Sequence, residues 1–410
     1  MSKPQTSIFR RYKLVGLAFI HLGVARGLRA TFGVFFVALI ETFKWSRGAT
    51  AGALSLSIAF EGVSMPFVGS LTDRLGGRRT LIFGGLVLAL GLGLSATVSS
   101  LWEFYLWVGI VTSLGMGLIG MVPHVAVLSR EFPGNRGTVL GLAYAGGGFG
   151  ILLLVPFVQV MIDTWGWSVA YVVLAGLAAF LVIVPAQIFF SASSPSSEQS
   201  TKEKEIGEEW TVKRALRNSA FWVLFASRVL ASMGNQIIVT HQIAHTVDAG
   251  YTKLFAATVF GLMGVASIFG RVMFGHLADR MRREAVYTWV QVVSSLGIVS
   301  LLAVQDTSVP TLLYAYAILY GLGQGSRALV LSTIFADIFV GKNFGALYGY
   351  FTVSIAFGGA IGAWFGGFLH DLTGNYFIAF SIALLLWAVS MVGVWSAKPI
   401  ARNLKQSGLR

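Results

Sequence analysis

The chain alternates between long apolar blocks and short polar breaks. About twenty apolar residues in helical form cross the roughly 30 Å hydrocarbon layer of a bilayer. Divided at charges and at Gly/Pro clusters, the blocks predict twelve such helices. They lie at 14–42, 48–70, 80–100, 103–129, 136–161, 167–191, 220–246, 253–277, 286–305, 309–338, 343–370 and 375–397. The first follows a basic start, Arg10, Arg11 and Lys13, without a short core or a small-residue cleavage site, so it reads as a retained span. One long polar stretch, Ser191 to Asn218, separates spans six and seven. It divides the chain into an N-terminal six-helix half (1–191), a cytoplasmic linker (192–218) and a C-terminal six-helix half (219–410).

The halves repeat one another. "GSLTDRLGGRR" at Gly69 recurs as "GHLADRMRRE" at Gly275, 206 residues on, which sets Asp73 opposite Asp279. "GTVLGL" at Gly137 pairs with "GALYGY" at Gly345, and "DTWG" at Asp163 with "DLTG" at Asp371, both 208 residues on. Two six-helix halves in the same orientation are the parallel-repeat plan of a rocking transporter. The fold class predicted is an all-α membrane protein of twelve spans in two parallel pseudo-repeats.

Composition agrees: 55% of residues are hydrophobic, 11% are charged, 49 are glycine and none is cysteine. Mean hydropathy is +0.75. Disulfides, thiolate metal sites and cysteine nucleophiles are excluded. A formal charge of +13 would point to nucleic acid in a soluble chain, but here its placement carries the meaning. With both termini on one side, that side collects 22 of the 30 Lys and Arg residues, against three (Lys44, Arg47, Lys253) on the other. Basic loops stay cytoplasmic, so both termini are expected inside, in a multi-pass protein of the cytoplasmic (inner) membrane with no nucleic-acid partner.

Five arginines remain within the spans: Arg26, Arg29, Arg228, Arg271 and Arg327. Only one carboxylate, Glu61, lies near mid-membrane, and charges at that depth face a cavity or one another. An interior this rich in guanidinium should attract anions. Arg26 and Arg29, both candidates for the substrate site, are three residues apart on neighbouring parts of one helix face; one of them is expected to pair with Glu61, leaving the other for the substrate. Arg271 stands eight residues before Asp279, about 12 Å of helix rise, with only neutral Ser267 one turn before it. It is the leading candidate for a substrate carboxylate, which the planar guanidinium fork matches with two parallel bonds. Arg228 and Arg327 read as nearer the cytoplasmic ends, where a structural role and a substrate contact are equally open. Further substrate-site candidates are Asn235, Tyr144, Gln324 and Tyr348; Glu61 and His241 are candidates for carrying a proton. "HQIAH" has metal-compatible spacing without a third ligand, so no metal is expected. Glycine rows at Gly146 and Gly150, and at Gly358, Gly362 and Gly366, predict close helix approach.

The duplicated Gly-x-Leu-x-Asp-Arg turn resembles the signature of the major facilitator superfamily. That resemblance implies gating roles for Asp73, Arg74, Arg78, Asp279, Arg280 and Arg130, not substrate contact. Within the superfamily the chain is similar to the monocarboxylate transporters. "TFGVFF" at Thr31 resembles their first-span Ser-Phe-Gly-Val-Phe-Phe run. "EFPGNRGTVLGLAYAG" matches their fifth-span signature at Phe132, Arg136, Gly141, Ala143, Ala145 and Gly146. The family's substrate arginine on span eight falls on Arg271. The resemblance has gaps: the family's aspartate one turn earlier is Ser267 here, and its first-span lysine is Ala30, with Arg29 adjacent. It implies a monomeric proton-coupled symporter of L-lactate or pyruvate, driven by the proton gradient without a cofactor. An oxalate–formate-like exchanger or a transporter-like carboxylate sensor are the alternatives. No nucleophile constellation or nucleotide loop indicates an enzyme.

Overall fold

The computed structural model describes residues 8–121, 123–124, 128, 132, 136–189, 210–339 and 344–406. Their regular elements are helices. α1 is Ile8–Phe43, α2 Arg47–Ser95, α3 Leu101–Leu118, α4 Arg136–Ala178 and α5 Val184–Phe189. A short α6, Val212–Leu216, precedes α7 Ser219–Asp248, α8 Lys253–Arg280, α9 Arg283–Leu302, α10 Thr311–Ile338, α11 Phe344–Thr373 and α12 Phe377–Gln406. Nine described stretches are long and apolar enough to cross a membrane.

α2 and α4 are each two predicted spans joined end to end. The break in α2 is at Gly76 (φ 79°) and in α4 at Gly166 (φ 84°). Only glycine enters this left-handed region without steric cost, so the chain turns there. A third such residue, Gly374 (φ 76°), separates α11 from α12. Gly166 and Gly374 end the repeated "DTWG" and "DLTG", so the internal repeat extends to backbone conformation. With these breaks, each predicted span falls on a described helix, consistent with twelve. Several helices run past the predicted limits: α1 starts at Ile8 and α12 continues to Gln406, because a helix need not stop where the hydrocarbon does. The pattern also gave no sign of the π-helical stretches Tyr105–Thr112 in α3 and Ala179–Ile183 between α4 and α5.

The chain forms two compact units. The first contains Met1–Glu198 and Thr252–Gly264; the second contains Gln199–Tyr251 and Val265–Arg410. In the first, α1 packs along α4 and α2 along α3. In the second, α7 packs against both α11 and α12, and α9 against α10. Lipid tails are as apolar as leucine, so close van der Waals fit draws the helices together. The glycine rows supply that fit. A Cβ at Gly150 would overlap the Gly23 carbonyl of α1, and one at Gly358 or Gly362 would overlap the backbone of Val229 or Met233 on α7. In the second unit, Phe221, Phe335, Phe339, Phe351 and Trp210 belong to one buried cluster.

Candidate functional site

In the second unit α8 and α10 cross in backbone contact. A Cβ at Gly270 would overlap the Leu322 carbonyl, and one at Gly325 the Ser267 carbonyl. This approach buries Ser267 to 1% exposure. It also brings Arg271, half-buried, onto α10: its Nε donates to the Gly325 carbonyl at 3.1 Å. That bond fixes the plane of the guanidinium on a rigid helix, the property a carboxylate fork requires.

A second guanidinium sits deeper in the same unit. Arg327 is 6% exposed. Its Nε donates to Gln291 Oε1 (2.6 Å) and its Nη1 to Asn235 Oδ1 (2.7 Å), which also accepts from the Tyr320 hydroxyl (3.0 Å). The Arg327 Cζ lies 3.9 Å from the Trp387 ring centroid, a cation–π contact strengthened by desolvation. Arg327 stands eleven residues before the end of α10, about 16 Å of rise. Arg271 stands nine residues before the end of α8, so the two guanidinium groups are set back from their helix ends by similar lengths. Arg228, 4% exposed, lies 4.4 Å from the Phe351 ring.

The other candidates of this unit are spread over several contacts. Asn235 is occupied as the acceptor for Arg327. Tyr348 shares a hydroxyl hydrogen bond with Ser332 (2.8 Å), and Gln324 is half-buried one residue before Gly325. His241 is fully buried, with Nε2 2.9 Å from the Ala363 carbonyl and its ring stacked on Tyr376.

In the first unit Arg29 forms an ion pair with Glu61 through Nη2 and Oε2; of the two neighbouring arginines, this one takes the carboxylate. Arg26 is exposed, with its side chain packed where a Cβ at Gly147 of α4 would lie. A cleft beside the pair is lined by Arg29, the hydroxyl residues Thr31 and Ser57, and the aromatic rings of Phe32, Phe35 and Tyr171. Lower in the same unit, His21 Nδ1 lies 3.0 Å from His124 Nε2, while His124 Nδ1 lies 2.6 Å from the Gly120 carbonyl. Because that carbonyl only accepts, His124 carries its proton on Nδ1 and its Nε2 accepts a hydrogen bond from His21 Nδ1–H.

Two such helical units carrying a duplicated turn can be compared with known proteins. The family model described as Major Facilitator Superfamily matches residues 18–290 and 248–409. The chain belongs to the major facilitator superfamily. Its superfamily relatives include monocarboxylate transporter 13 of Rattus norvegicus, 28% identical over 370 residues, covering 89% of this chain and 84% of the relative. Monocarboxylate transporter 11 of Homo sapiens is 29% identical over 381 residues (89% and 78%), and human monocarboxylate transporter 2 is 24% identical over 386 residues (88% and 80%). Among solved structures, that of the nucleoside transporter NupG superposes with a TM-score of 0.73 at 16% identity, covering 95% of this chain and 99% of that one; this likeness is one of fold.

The protein is thus a multi-pass membrane transporter of this superfamily, and not an enzyme. Of the residues expected at the gates, Arg74, Asp279 and Arg280 are exposed and Arg78 is half-buried. The side chain of Asp73, and Arg130 altogether, lie outside the described residues. Sequence reasoning missed Gly325, Gln291, Tyr320 and Trp387, and the hydroxyls of Thr31 and Ser57. Gly325 had a signal in the Gly-x-Gly-x-Gly row of "GLGQGSR". The others are ordinary interior residues until their partners, far off in the chain, are known.

Proposed function

We propose that this transporter is a proton-coupled symporter of short monocarboxylates such as L-lactate and pyruvate, working by alternating access in the cytoplasmic membrane with both termini inside. The observation carrying this reading is Arg271, a permanent cation on a membrane-spanning helix whose guanidinium plane is set by the Gly325 carbonyl. A charge held at that depth is functional by default, and a planar fork selects a carboxylate. The names of the relatives agree in substrate class. One anchoring cation favours a monoanion over a dicarboxylate, and α11 contains no Lys or Arg to hold a second carboxylate. The test is uptake of labelled L-lactate into proteoliposomes with and without an inward proton gradient. Gradient-stimulated accumulation is expected. Flux that depends on internal counter-anion and ignores the gradient would replace symport with exchange, and binding without flux would indicate a sensor.

A further inference from the structure

Where α9 packs along α12 in the second unit, the two helices leave an apolar seam at the surface with an arginine at its end. Thr288 and Trp395 meet across the seam, the indole Nε1 donating to Thr288 Oγ1 at 2.9 Å. On α9, Thr288 shares its face with Val292 and Val299; on α12, Trp395 shares its face with Ala388 and Val392. The four aliphatic residues and Trp395 are all exposed. Arg282, just before α9, lays its guanidinium over the Trp395 ring, with Cζ 5.1 Å from the centroid. We propose that this seam binds a phospholipid with a net negative head group, its phosphate on Arg282 and its acyl chains along α9 and α12.

Length and chemistry both select that occupant. Val299 stands eleven residues beyond Thr288, about 16 Å of helix rise, close to the ~15 Å of hydrocarbon in one leaflet. Trp289 and Trp395 are both exposed at the Arg282 end of this run, and amphipathic rings favour the membrane interface. The chains of a lipid therefore fit alongside the seam while its phosphate reaches the level of Arg282. A guanidinium stacked on an indole has its face covered and its N–H edge free. That edge matches two phosphate oxygens, and the stack holds it in one orientation.

The described charges nearby leave Arg282 its positive charge. Arg283 is held by Asp337 and donates to the Thr333 carbonyl at 3.0 Å. Glu284 is 2% exposed at the first turn of α9, so it does not meet a head group at the surface. Asp279 and Arg280, exposed at the end of α8, carry opposite charges. A phosphatidylcholine would bring its own quaternary ammonium to this cation, whereas a head group of net negative charge brings none. A two-fold partner seated on the seam would set a second Arg282 at the same depth, like charge facing like.

The experiment is native mass spectrometry of the purified full-length protein in detergent, with phosphatidylglycerol and phosphatidylcholine of identical chains added in equal amounts. One cation near a membrane surface gives about a fivefold preference for anionic lipid, so wild type is expected to retain phosphatidylglycerol over phosphatidylcholine by about that factor. Arg282→Gln should bring the ratio close to one. Arg217→Gln, which removes an exposed arginine just beyond α6, should keep it. Equal retention of the two lipids by wild type overturns the inference, and needs no variant to fold. So does a preference that survives Arg282→Gln, or one that Arg217→Gln abolishes as well, since it would then follow net charge alone. Displacement of the lipid by glycerol phosphate, a head group without chains, would make this a site for free anions and overturn the inference too. A dimer that excludes phosphatidylglycerol would put a second copy on the seam in place of the lipid.

Discussion

Gly325→Ala separates the anchoring of Arg271 from its charge. A methyl at this position would overlap the Ser267 carbonyl of α8, far inside the 3.0 Å that real Cβ atoms respect. Backbone atoms cannot swing aside as a side chain can, so α8 and α10 must part by about 1 Å to recover van der Waals separation. Overpacking of this kind costs about 1–3 kcal/mol, which in a unit of this size lowers Tm by roughly 2–12 °C. The same displacement stretches the 3.1 Å bond from Arg271 Nε to the Gly325 carbonyl beyond hydrogen-bond range. Losing a bond to a charged group costs about 1.5–3 kcal/mol, and 1.4 kcal/mol is a factor of ten in affinity, so the Kd for L-lactate should rise about tenfold or more. Thermal unfolding in detergent and equilibrium binding measure the two effects on one preparation. Gly349→Ala, where a Cβ would meet nothing within 4 Å, is the control and should change neither. A lowered Tm with unchanged Kd would refute the anchoring role, and an unchanged Tm would refute the rigid crossing of α8 and α10.

Arg271→Lys keeps the charge and loses the fork; with one of two parallel bonds gone, the Kd for L-lactate should rise roughly 10- to 150-fold, and a change under threefold would exclude a bidentate clasp. Arg327→Leu leaves Gln291 Oε1 without its donor and Asn235 Oδ1 with the Tyr320 hydroxyl alone, at about 1–3 kcal/mol for the stranded group, partly offset because a buried guanidinium no longer has to be desolvated. A net loss of stability is expected, read as a lower Tm, and a higher Tm would show that the charge is kept for function alone. Gly150→Ala would place a Cβ on the Gly23 carbonyl and should destabilise the first unit by about 1–3 kcal/mol, whereas Gly141→Ala, in open space, should be neutral.

How far each feature was legible follows from how local its cause is. The spans could be read because a bilayer demands that backbone groups be satisfied within each helix, so length and apolarity suffice. The turns at Gly76, Gly166 and Gly374 sit in polar breaks whose repetition was visible. Glu61 could be singled out as the one mid-span carboxylate, but not which arginine it would choose. Arg26 and Arg29 share a helix face, and the choice depends on the register of α1 against α2. Ser267 shows the opposite case. In sequence it stands out for the carboxylate it lacks; in the structure what matters is its main-chain carbonyl, pressed by Gly325 on a helix more than fifty residues away. Arg327 was undervalued because its partners Asn235, Gln291 and Trp387 come from α7, α9 and α12. Depth along one helix says nothing about such a convergence.

The two units handle their buried cations by different physics, and this gives them different sensitivities. In the second unit, Arg327 is held by amide oxygens and an indole face, and Arg228 lies over a phenyl ring. Such dipoles and quadrupoles do not titrate in the physiological range, so the positive potential there should stay constant as pH changes. Glu284, buried at the first turn of α9, lies toward the helix end and not beside these groups in depth. In the first unit Arg29 is held by a carboxylate, and a carboxylate can be discharged by one proton. The cation of the first unit therefore has an ionisable partner, while those of the second are held by groups that keep their charge. Under the proposed symport, such a separation would let a permanent field draw the anion while the titratable pair responds to the proton. If so, Arg327→Gln should weaken lactate binding equally at every pH, and Glu61→Gln should change its slope. Parallel pH profiles for both variants would show that the two tasks are not divided in this way.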